Sequence, residues 1–105
     1  MSETDPRAER YAAQHRQFLA ENNPDVLREL KQSGDLNSYL SSVGEQAAQT
    51  FEQLMMRHAN SKDVQSLPHQ QRVQELRSRQ HEVQEIVQHE IVFQPLPERD
   101  SASQS

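Results

Sequence analysis

Between Leu36 and Met55 the apolar residues Leu36, Tyr39, Leu40, Val43, Ala47, Phe51, Leu54 and Met55 recur at intervals of three, one, three, four, four, three and one. Such intervals keep one side of a helix apolar for about six turns, whereas a strand would need strict alternation. A one-sided helix must bury its stripe against other elements, and two glycines in 105 residues leave few sharp turns for a sheet. Fifteen glutamines and only 21 residues of Leu, Ile, Val and Phe fit solvated helices with narrow stripes. The chain length allows one core. The expected fold is all-α, a small antiparallel bundle of about four helices over residues 6–21, 24–33, 36–58 and 68–93, in one domain of residues 1–94. Residues 95–105 are expected to form a disordered tail.

The helix boundaries are written in local chemistry. Asp5 followed by Pro6 is the order of a cap and a first helical residue, and Tyr11, His15, Phe18 and Leu19 continue from it as a stripe. Asn23 and Pro24 repeat the arrangement for a second helix, whose buried face is Val26, Leu27 and Leu30. Ser33-Gly34 ends it, since glycine takes the left-handed conformation without a Cβ penalty. Asp35 is then expected to cap the third helix, in which Gly44 marks a close crossing or a kink. Residues 59–66 lose the period and read as a loop. Pro68 opens the fourth helix, with the stripe Val73, Leu76, Val83, Ile86, Val87 and Ile91, interrupted at Gln80 where the helix leaves the core. Met55 is expected in the core and Met56 beside it. So few large apolar residues leave a thin surplus over chain entropy, and a homodimer sharing the stripes of the third and fourth helices would relieve it.

Charge and chemistry remove most functional classes. The net charge is −5, with acids and bases interspersed and no run of five cations, which disfavours direct binding to nucleic acid. No apolar run is long enough to span a membrane, and the cytoplasm is the default compartment. Without cysteine there is no disulfide, thiolate site or thiol nucleophile. No phosphate-cradling or dinucleotide-binding glycine pattern occurs, nor a nucleophile elbow. His81, Glu85 and His89 share one side of the fourth helix, but at about 100° per residue they fall at roughly 160°, 200° and 240° from Val83, away from the apolar stripe. They read as a solvated face. His15 lies on a stripe between Tyr11 and Phe18 and is expected at the core boundary with one ring nitrogen satisfied. Neither catalytic residues nor a cofactor or metal site is expected, so the chain is read as non-enzymatic.

Several blocks carry a family resemblance. The run from Phe18 to Pro24, then Leu30 to Leu40 with Ser33-Gly34-Asp35-Leu36-Asn37-Ser38-Tyr39-Leu40 at its centre, then Glu45 to Leu54, and finally Gln84 to Phe93, are similar to the TnpV family of transposon-encoded proteins. The resemblance covers about residues 11–93. It implies a setting on a mobile genetic element and an accessory or regulatory role, with no catalytic residues to carry over. Combined with the acidity, it points to binding another protein. The sharpest form is inhibition of a host defence nuclease, as anti-CRISPR proteins do, by an acidic surface that occupies a basic groove meant for nucleic acid. Glu45, Glu52, Glu82 and Glu85 are the candidate partner-binding residues. The alternative is a small dimeric DNA-binding regulator using the turn at Gly34, although Asn37, Ser38, Ser41 and Ser42 offer no cation to phosphate or guanine.

Overall fold

The computed structural model describes residues 5–94. The sequence expectation for residues 95–105 lies outside them. Five α-helices follow in order: α1 (Pro6–Asn22), α2 (Pro24–Ser33), α3 (Leu36–Ala59), α4 (Lys62–Gln65) and α5 (His69–Val87), and α5 continues into a π-turn at Gln88–Val92. No strand occurs among the described residues. Asp5 caps α1 as its position implies, accepting the Arg7 amide at 2.9 Å. Gly34 closes α2 at φ 82°, with its amide bonded to Lys31 and the Asp35 amide reaching back to Leu30. Nothing lies within 4 Å of a Cβ built at Gly34. Gly34→Ala should therefore cost only the left-handed strain, about 1 kcal/mol by denaturant unfolding. Asp35 does not cap α3 with its side chain: its carboxylate accepts the Ser33 hydroxyl at 3.0 Å instead.

Three contacts fix how α1 lies on α3. Tyr39 meets His15, Gly44 meets Ala8 and Ala12, and Phe51 lies under the Arg7 guanidinium at 3.8 Å. Rising numbers on α3 thus meet falling numbers on α1, so the two run antiparallel. His58 at one end of α3 contacts Arg79, while Tyr39 toward the other end shares His15 with Val92, so α5 runs antiparallel to α3 and alongside α1. The core between them contains Tyr11, Val43, Ala47, Phe51, Val83, Val87, Ile91 and Val92. Leu19, Leu30 and Leu40 are also buried, on α1, α2 and α3. At Gly44 the α1–α3 crossing is so close that a Cβ would overlap the Ala8 carbonyl oxygen.

Two further expectations need correction. Residues 59–66 are not simply a loop: they contain the single-turn helix α4, whose Val64 is fully buried. Burying one valine contributes about 1.5–3 kcal/mol toward ordering this connection. Arg79 completes the fastening, with its Nε on Glu75 at 2.8 Å, one Nη on Asp63 at 3.6 Å, and the other donating to His58 Nδ1 at 3.2 Å. The second correction concerns the stripe of α5, on which Val73 and Ile86 are 40% and 43% exposed. Val73 and Ile86 fall roughly 80° and 60° to opposite sides of the buried Val83. Gln80 is exposed, as its place in the stripe implied, and Met56 is exposed beside the half-buried Met55.

Candidate functional site

The four candidate glutamates separate into two pairs. Glu45 and Glu52 lie on α3 beside the tight crossing with α1. Glu45 lines a small cleft with Glu9, Ala12 and Ser41, and an adjoining cleft of about 170 Å³ with Asp5, Ala8 and Glu52. The crossing therefore adds two acids not among the candidate partner-binding residues, the capping Asp5 and Glu9, and aligns four carboxylates along one seam. Glu82 and Glu85 lie on α5 in a shallow dish completed by Ile86, His89 and Glu90. None of the four candidate carboxylates makes a hydrogen bond or ion pair among the described residues.

The dish on α5 combines a half-exposed isoleucine with three acids. Ile86, Glu82 and Glu85 fall at roughly 300°, 260° and 200° from Val83, one flank of α5, and His89 follows in the π-turn. Glu90 sits in the final turn, where the helix dipole disfavours negative charge. His81, Glu85 and His89, all exposed, do not converge on a recess. Among the described residues no three of His, Cys, Asp and Glu are grouped as a metal would require. The turn at Gly34 leads into Asn37, Ser38, Ser41 and Ser42, all exposed and uncharged.

His15 is the feature that sequence reasoning placed wrongly. It is fully buried rather than at the boundary, and both ring nitrogens are engaged. Nδ1 lies 2.7 Å from the Val92 carbonyl oxygen and Nε2 lies 2.9 Å from the Tyr39 hydroxyl. A carbonyl can only accept, so Nδ1 carries the proton and Nε2 accepts from Tyr39. Burial lowers the imidazole below its ordinary value of 6.5, and the bond to Val92 partly offsets this. The adjacent apolar pair Ile91-Val92 was the available signal. Both are buried in the π-turn. Above this network Phe18 stacks on His15 and meets Phe93 at 5.9 Å, forming a groove of about 300 Å³ with Gln14, Gln17 and Glu21.

Residues 1–92 match the family described as transposon-encoded protein TnpV. The chain belongs to the TnpV family. No curated protein and no solved structure matches it. Within this TnpV chain the matched residues take in α1 to α5 and the whole π-turn, so His15, Tyr39 and Val92 all lie inside the family region, as do the four glutamates. Among the described residues no helix is long and apolar enough to cross a membrane.

Proposed function

We propose that this TnpV protein is a non-enzymatic accessory protein that acts in the cytoplasm by binding another protein, a nucleic-acid-binding effector whose basic groove receives the glutamates. A host defence nuclease is the effector class that this reading favours. The observation that carries it is the exposed Ile86 set among Glu82, Glu85 and Glu90. An apolar centre with a charged rim is the usual anatomy of a protein contact. The rim carboxylates would speed encounter with a cationic surface and set its salt dependence. The seam of Asp5, Glu9, Glu45 and Glu52 offers a second row of like charge. Glu90 supports the reading further, because an acid at the negative end of a helix costs about 0.3–1 kcal/mol that folding alone does not recover.

The test is retention of host nucleic-acid-binding proteins on the immobilised chain at low salt, eluted with duplex DNA. Retention should fall about tenfold or more for E45Q/E52Q/E82Q/E85Q, and duplex DNA should displace what the unaltered chain holds. Equal retention by the variant overturns the reading. Mobility of transposon-end DNA mixed with the chain should be unchanged, and a shifted band would favour a DNA-binding regulator instead.

A further inference from the structure

His15 stands where three elements meet: α1 supplies it, α3 supplies the Tyr39 hydroxyl, and the π-turn supplies the Val92 carbonyl. We propose that His15 is an acid-released latch, whose protonation frees the π-turn and Phe93 from α1 while the α1–α3 pair stays packed. The neutral ring fits its surroundings completely, donating from Nδ1 and accepting at Nε2. A proton on Nε2 would point at the hydroxyl hydrogen that now donates to it, and Tyr39 would have to turn that hydrogen away. It would also place a full charge where the residue has no solvent exposure.

The groups that face the ring offer that charge no anion. They are the Tyr39 hydroxyl from α3, the Val92 carbonyl from the π-turn, and the Phe18 ring on α1 itself. Tyr11, one turn earlier on α1, is buried and its phenol is raised by burial, so it stays neutral as well. His89 and Glu90 of the π-turn are exposed, as is Glu21 of α1. No charged side chain contributes to the lowering at His15.

The π-turn is the element that yields. It is five residues long, in a rare geometry, and ends in the bond from the Phe93 amide to the Gln88 carbonyl at 2.7 Å. Apart from Val92, its polar tie to α1 is the half-buried contact of Gln88 with Gln14 at 3.2 Å. The α1–α3 contact is independent of it, because Gly44 against Ala8 and Ala12 lies beyond the His15 cluster along both helices. Release therefore takes apart the groove between Phe18 and Phe93 and leaves the crossing in place.

Residue-resolved amide exchange on the full chain between pH 7 and pH 5, corrected for intrinsic rates, tests the latch, together with an NMR titration of the His15 ring. Protection over residues 88–93 should fall about tenfold per pH unit from about 6.5 down to the folded-state value, the slope of a single proton taken up on opening. Amides of residues 43–51 should keep their protection. H15N, which retains a donor for Val92 but cannot titrate, should have a flat profile over residues 88–93. If that variant does not fold, the two amide sets of the unaltered chain decide. Unchanged protection of residues 88–93 while the ring titrates would overturn the latch. Parallel loss at residues 43–51 would overturn it equally, since the whole fold would then be opening.

Discussion

Gly44→Ala should lower the unfolding free energy by about 3 kcal/mol and the midpoint of thermal unfolding by roughly 10–20 °C. On an isolated helix the change would be favourable by about 1 kcal/mol, so the sign itself is diagnostic. The added methyl meets the Ala8 carbonyl oxygen first and the Ala12 Cβ at 3.1 Å second. The first obstacle is backbone, which can move only if α1 lifts from α3 along its length. Ala8→Gly should therefore fail to rescue the variant, because the oxygen remains. Ala12→Gly should recover only a small part. Thermal melts of the single and double variants check this, and full rescue by Ala8→Gly would refute the backbone crossing.

His15→Ala should cost about 3 kcal/mol at pH 7, measured by urea unfolding. It empties a fully buried site and leaves the Val92 carbonyl without its donor, two losses of the kind that cost most. The penalty should shrink at pH 5, and the sign follows from the direction of the shift. The folded state holds the imidazole below 6.5, so below that pH the unfolded chain binds a proton that the native chain resists. Stability of the unaltered protein therefore falls as the pH drops from about 6.5 toward the folded-state value, and the alanine variant lacks that loss. An equal penalty at both pH values would contradict a neutral, buried His15.

What the sequence disclosed and what it withheld divide by range. Asp5-Pro6 and Ser33-Gly34 act on backbone groups within five residues of themselves, so their roles could be read directly. The stripe of α3 likewise depends only on its own spacing, and it fixed both the class and the packing face. His15 could not be placed this way, because its partners stand 24 and 77 residues along the chain. Val64 was missed for a different reason: it is the lone large apolar residue from Ala59 to Ser66, and one residue defines no period. The glutamates were recognisable as exposed acids. That Glu45 and Glu52 would share a seam with Asp5 and Glu9 depended on which helix crossed α3 at Gly44.

The α1–α3 crossing also separates two demands that compete in many small proteins. Its tightness comes from Gly44 meeting the Ala8 main chain and the Ala12 Cβ, and Glu9, Glu45 and Glu52 beside it make no hydrogen bond or ion pair among the described residues. Substitutions at Glu9, Glu45 or Glu52 can thus redraw the rim without loosening the joint. A lineage under pressure to change what it grips could rewrite those positions freely, while Gly44 would tolerate almost nothing.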